Sequence, residues 1–196
     1  MRNMLYIKYN SNYRSSLGSL SILMSLHITS TMKSAKIRPQ SRKELRSIIE
    51  QELKSQGPDA DLNFIDTSHI TDMQLLFSGL YIRNIKIDEW DVSNVTNMAY
   101  MFTDNRTFNC DLSRWDVSNV ADMSRMFSKC LNFNCDLSHW NTSSVYSMQE
   151  MFADCIKFRS NLSGWDVSKV KYDYDVFIRC PKMRNNTKLQ PKFNNV

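Results

Sequence analysis

The chain repeats itself every 25 residues, and that period limits its folds more than any other property. Trp90, Trp115, Trp140 and Trp165 are spaced by 25 without an insertion, and so are Phe77, Phe102, Phe127, Phe152 and Phe177. An Asp column runs Asp66, Asp91, Asp116, Asn141, Asp166, and a Ser column runs Ser68, Ser93, Ser118, Ser143, Ser168. Met73, Met98, Met123 and Met148 form another column, which ends at Asp173. Sliding residues 91–115 onto 116–140 gives fifteen identities in twenty-five positions. Five repeats therefore start at residues 66, 91, 116, 141 and 166; Ile65 stands where the other Trp residues would be. Strict periodicity of this kind predicts an α/β repeat solenoid, leucine-rich-repeat-like, with five coils that bury their apolar faces only by stacking on one another.

Each repeat carries two patterns. Phe108, Cys110 and Leu112 alternate with polar residues, which predicts a short strand. Val120, Met123, Met126 and Phe127 are spaced like one face of a short helix. Asp116 and Ser118 stand ahead of that segment, as residues that hold turns and cap orphan N–H groups.

The ends differ from the middle. Ser41 and Glu44 form a capping box, Leu45, Ile48, Ile49 and Leu53 draw an apolar stripe, and Gly57-Pro58 stops the run, so residues 41–57 are expected to be an N-terminal capping helix. Residues 58–180 are the repeat array. Residues 1–40 are expected to be a poorly ordered basic leader, and 181–196 a basic, frayed tail. Residues 1–56 hold ten Lys and Arg against three acids, 57–180 eleven against seventeen, and 181–196 four against none. The net charge of +5 thus belongs to the ends, which fits solvated termini better than a nucleic-acid surface. Leu17–Ile28 follows Arg2, Lys8 and Arg14 as an h-region follows an n-region, but it is short and diluted by Gly18, Ser19, Ser21, Ser25 and His27. It is also too short and polar to span a bilayer. Cell surface and cytoplasm both stay open on these residues.

Repeats of the form "FNCDLSRWDVSNVADMSRMFSKC" (residues 108–130) resemble those of the BspA-like leucine-rich-repeat surface proteins of bacteria, and specifically the roughly 25-residue class found in lipoproteins of wall-less bacteria. The lead-in "SRKELRSIIEQELKSQGPDADLNFIDTSHITDM" resembles the helix and first coil that open such arrays. The resemblance covers about residues 41–180. It implies a solenoid, exposure at the cell surface, and a role in adhesion or host contact.

No catalytic pattern accompanies the repeats. No Walker A, dinucleotide or Gly-x-Ser-x-Gly motif is present, and His27, His69 and His139 are scattered, so no enzyme activity, cofactor or metal is expected. Cys130, Cys155 and Cys180 form one column, and Cys110 and Cys135 another. They read as small buried residues at a bend; a disulfide across rungs is the alternative in an exported chain, and zinc lacks companion ligands. The Asp column reads as turn capping. Calcium is the alternative, against which stands the near absence of glycine: only Gly79 and Gly164 fall in the array. The Trp and Phe columns read as structural framework.

Specificity is expected where the sequence varies on a fixed frame. One such column is Glu89, Arg114, His139, Gly164, each just before a Trp. Another is Tyr100, Arg125, Glu150, Asp175, and a third is Asn109, Asn134, Arg159 on the outward side of the predicted strand. Rows of this kind are the binding surfaces of repeat proteins. The sequence thus points to a monomeric, non-enzymatic module for a protein or glycan partner, with a ligand-free spacer or an intracellular scaffold as alternatives.

Overall fold

A computed structural model describes residues 36–193. The expectations for residues 1–35 and 194–196 lie outside the described residues.

The first element is helix α1, Arg42–Gln56. Ser41 caps it by accepting the Glu44 N–H at 3.2 Å, and Glu44 in turn accepts the Gln40 N–H at 2.7 Å. Gly57, with φ of 81°, donates its N–H to the Leu53 carbonyl, the left-handed exit that glycine makes at no steric cost. Leu45, Ile48 and Ile49 are buried against the first repeat.

The repeats that follow are built almost wholly from β-turns. In the repeat around Trp115, the N–H of Trp115 donates to Leu112, Val120 to Val117, Met126 to Met123, Cys130 to Phe127 and Phe133 to Cys130, all across three residues at 2.9–3.2 Å. The first and last residue of each turn point inward, and all of these side chains are buried. The spacing of three that resembled a helix face is the spacing of turn ends. The short helix expected over 120–127 does not form. Arg125 and Lys129 have φ of 53° and 62°, which no right-handed helix contains. The same two conformations recur at Leu75, Tyr100, Glu150 and Asp175, and at Gly79, Asp104, Asp154 and Arg179. A positive φ at the third residue is the mark of a type II turn.

These turns carry the pairing between repeats. The N–H groups of Met98, Tyr100, Phe102 and Asp104 donate to the carbonyls of Asp122, Ser124, Met126 and Ser128 at 2.8–3.0 Å. One repeat on, Met123, Arg125, Phe127 and Lys129 donate in the same way to Ser147, Gln149, Met151 and Ala153. Parallel bridges link Asp72, Asn97, Asp122, Ser147 and Tyr172 in series. Equivalent positions of successive repeats thus lie side by side in parallel register.

The strand expected over 108–112 is also absent, for a complementary reason. There, side chains replace the ladder: the Leu112 N–H meets Cys135 Sγ at 3.2 Å, and the Leu137 N–H meets Ser160 Oγ at 3.0 Å.

Aromatic rings fill the interior. Phe77, Phe102, Phe127, Phe152 and Phe177 stack with centroids 5.1–5.7 Å apart and planes within 12°. A second stack, Phe108, Phe133 and Phe158, runs beside it, its rings 4.1–4.3 Å from their partners in the first. Trp90, Trp115, Trp140 and Trp165 are only 3–5% exposed. Each indole N–H donates to a carbonyl of the preceding repeat, on Leu62, Ile87, Leu112 and Leu137, at 2.9–3.0 Å.

Both ends need correction against the sequence expectations. Residues 37–40 belong to the folded array rather than to a leader: Ile37 pairs with Ile65 by two backbone hydrogen bonds and supplies the missing preceding rung. Residues 181–193 are not frayed. Helix α2, Pro181–Arg184, and a 3-10 turn, Thr187–Leu189, fold back so that Met183 is buried and the Leu189 carbonyl accepts the Leu162 N–H at 2.8 Å. That carbonyl takes the place Cys135 and Ser160 hold in earlier repeats. Without it the end of the core around Leu162 and Trp165 would lie open.

Candidate binding surface

The three variable columns meet different fates. In the column Tyr100, Arg125, Glu150, Asp175, the Arg125 guanidinium sits 5.6 Å from the Tyr100 ring centre and pairs with Glu150. Glu150 holds the Arg125 charge, and the Arg125 hydrogen bond keeps the Glu150 carboxyl below its usual range. Arg125 is half-buried and engaged within the protein, so its expected place on a free surface is not what the structure gives it.

A fourth variable column, which sequence reading passed over, behaves alike. Asp104 and Lys129 pair at 3.3 Å, and Asp154 and Arg179 at 2.5 Å. The charges alternate along the axis, and Arg179 lowers the Asp154 carboxyl. The signal was present in the order Gly79, Asp104, Lys129, Asp154, Arg179, whose sign changes at each step from Asp104 on.

The outward column Asn109, Asn134, Arg159 is also partly spent. Asn109 Oδ1 accepts the backbone N–H of Asn134 at 2.9 Å, and Asn134 Oδ1 accepts that of Arg159 at 3.1 Å. These amides bridge rungs where no backbone carbonyl reaches. The Arg159 side chain is exposed at the end of the row.

The column Glu89, Arg114, His139, Gly164 is different. All four residues are exposed, and none of the three side chains makes a hydrogen bond or ion pair among the described residues. Arg114, His139 and Gly164 follow turns held by Asx geometry: Asp111 Oδ1 accepts the Ser113 N–H at 2.9 Å, Asp136 Oδ1 that of Ser138 at 3.0 Å and Asn161 Oδ1 that of Ser163 at 3.1 Å. Glu89 is held by its own N–H, which donates to Asn63 Oδ1 at 3.1 Å. Each precedes a buried Trp. Rigid neighbours on both sides therefore hold the row at the rung spacing of 5–6 Å set by the stacked rings.

The Asp column caps turns in the same way. The Oδ1 atoms of Asp66, Asp91, Asp116, Asn141 and Asp166 accept the N–H of the Ser two residues on, at 2.9–3.1 Å. Hydrogen bonds from Ser68, Ser118 and Ser168 hold the Asp66, Asp116 and Asp166 carboxyls below their ordinary range, and Ser113 and Ser138 do so for Asp111 and Asp136. Among the described residues no three His, Cys, Asp or Glu side chains gather as a metal site would need.

All five cysteines are free thiols. Cys130 and Cys155 donate to the Phe102 and Phe127 carbonyls of the preceding repeats at 3.0 Å. Asn105 does the same to Phe77 in the position of the missing first Cys. Burial raises every thiol pKa, that of Cys135 to about 11. A thiol that does not ionise is a poor nucleophile and ligand.

No helix among the described residues is long and apolar enough to cross a membrane. No curated protein and no solved structure matches the chain. One family does, over residues 45–140 and again over 115–196, two overlapping stretches that both contain Trp115 and Trp140. The chain belongs to the family described as Mycoplasma protein of unknown function, DUF285.

Proposed function

We propose that the chain is a non-enzymatic binding module, a short leucine-rich-repeat-like solenoid of the BspA-like surface type, and that it captures a protein or glycan through the row Glu89, Arg114, His139. The observation that carries this reading is the contrast between columns. Where Arg125, Lys129 and Asn134 vary, their side chains serve neighbouring repeats; Glu89, Arg114 and His139 vary, stay exposed and serve none. A row of fixed spacing bearing an acid, a guanidinium and an imidazole suits a polar, extended partner.

The test is a screen of the whole chain against a glycan array and host-cell-surface proteins. It is repeated with Glu89→Ala, Arg114→Ala and His139→Ala combined, and with Arg125→Ala alone. Capture should fall at least tenfold in the triple variant without a change in melting temperature. Arg125→Ala should lower the melting temperature and spare capture. A second reading, a spacer without ligand, is favoured by the internally spent charge ladders, and it stands if nothing is captured or capture survives the triple change.

A further inference from the structure

The array has a direction, and its two ends are finished differently. Along the turns at 73–79, 98–104, 123–129 and 148–154, the N–H groups that join repeats point toward the following repeat and meet carbonyls that point back. At the first repeat the carbonyls of Leu76 and Ser78 have no preceding rung, and the Arg46 guanidinium of α1 donates to both at 3.0 Å, and to Leu75 at 2.8 Å. At the last repeat no such substitute exists. Asp173, Asp175, Phe177 and Arg179 are the equivalents of Met148, Glu150, Phe152 and Asp154, whose N–H groups donate to Tyr172, Tyr174, Val176 and Ile178. The four N–H groups of the last repeat have no acceptor among the described residues. Among the carbonyls of residues 181–193, only that of Leu189 accepts a backbone N–H from the repeats, that of Leu162.

We propose that this open edge is a docking site for an extended, basic polypeptide segment, which adds as a further rung by backbone pairing. The polarity of the edge selects the occupant. Four donors at two-residue spacing require a strand that presents carbonyls. A second copy cannot match them with the same edge, which presents the same four donors and, in the series of Ala121 and Tyr146, the single carbonyl of Lys171. Its first repeat fits them poorly, because Arg46 occupies two of the four matching carbonyls, those of Leu76 and Ser78. Charge sets the rest. Where earlier repeats bury Met73, Met98, Met123 and Met148, the last carries Asp173, and Asp175 ends the next column; neither makes an ion pair among the described residues. An inward charge keeps an apolar strand from pairing at an edge, and here the same carboxylates favour Lys or Arg on the incoming strand. Tyr172 and Tyr174, each 52% exposed, flank the edge with apolar surface for its side chains.

The experiment follows amide hydrogen exchange in the full chain with the probe peptide Ac-Lys-Val-Lys-Val-Lys-Val-Lys-NH2. Without peptide, the amides of 148, 150, 152 and 154 should be protected and those of 173, 175, 177 and 179 should exchange freely. With peptide, the second set should slow at least tenfold; the Glu-for-Lys peptide should not slow it, and Asp173→Lys with Asp175→Lys should abolish the effect. Protection already present in the free protein, a mass that doubles without peptide, equal protection by the acidic peptide, or no protection at millimolar peptide would each overturn the proposal. None of these outcomes involves Glu89, Arg114 or His139, so the two readings fail separately.

Discussion

Arg114 and Trp115 are adjacent, and the structure gives them opposite tasks. Trp115 is 4% exposed, lies 6.3 Å from Phe102, and donates its indole N–H to the Ile87 carbonyl of a buried residue. Trp115→Ala deletes that bond and opens a cavity between two repeats; large aromatic truncations of this kind cost about 3–5 kcal/mol. Trp115→Phe keeps a ring in place and removes one of the two donors to the Ile87 carbonyl, which retains the Trp90 N–H at 3.2 Å. The loss of that one hydrogen bond costs about 0.5–1.5 kcal/mol. Arg114→Ala removes an exposed side chain without a hydrogen bond and should stay within about 0.5 kcal/mol. Urea denaturation followed by circular dichroism measures the three. With a slope near 2 kcal/mol per M, a 4 kcal/mol loss lowers the midpoint by roughly 2 M. The order should be Trp115→Ala worst, Trp115→Phe intermediate and Arg114→Ala near wild type. A loss below about 1 kcal/mol for Trp115→Ala at unchanged slope would refute the reasoning and return the Trp column to ligand contact.

Acid should destabilise the array. The carboxyls of Asp66, Asp111, Asp116, Asp136 and Asp166 have lowered pKa values when folded, and Arg83 lowers Asp59 to about 2. The unfolded chain then binds protons more readily, so stability holds above the ordinary carboxylate pKa of about 4 and is lost as pH falls below it; a melting temperature flat from pH 6 to 2 would contradict this. The buried, poorly ionised Cys130 and Cys155 should resist a water-soluble thiol reagent in the native protein and react in denaturant, whereas fast native labelling of either by mass spectrometry would rule the assignment out. Asn105 leaves its buried Oδ1 without a partner, while Cys130 fills the same column with a single donor. Asn105→Cys should therefore be neutral or stabilising by up to about 1 kcal/mol in thermal melts, and a loss above 1 kcal/mol would show that Oδ1 is satisfied.

The period, the columns and the helix over 41–57 were legible because each is a statement about identity and spacing. The local conformation was not. Val117 and Val120, or Met123 and Met126, lie three apart, and that spacing fits one face of a helix and the two ends of a β-turn equally well. The choice is made by Tyr100, Arg125 and Glu150 in the left-handed region, where glycine would have announced a turn and these residues do not. The alternation of Phe108, Cys110 and Leu112 correctly marked which side chains face inward, yet their rungs join through Cys135 and Ser160 instead of a backbone ladder. The variable columns were visible, but which of them face their own neighbours depends on side-chain reach across 25 residues. Arg125 with Glu150 and Asn109 with Asn134 show this.

The central claim is that successive repeats are joined by backbone hydrogen bonds in parallel register through a train of turns. The trans-hydrogen-bond scalar coupling between an amide nitrogen and its acceptor carbonyl carbon, measured by NMR on the labelled protein, reads those bonds one at a time. Tyr100 nitrogen should couple to the Ser124 carbonyl and Arg125 nitrogen to that of Gln149. Couplings from Tyr100 to Thr96 and from Arg125 to Ala121, the partners a helix would provide, would contradict it.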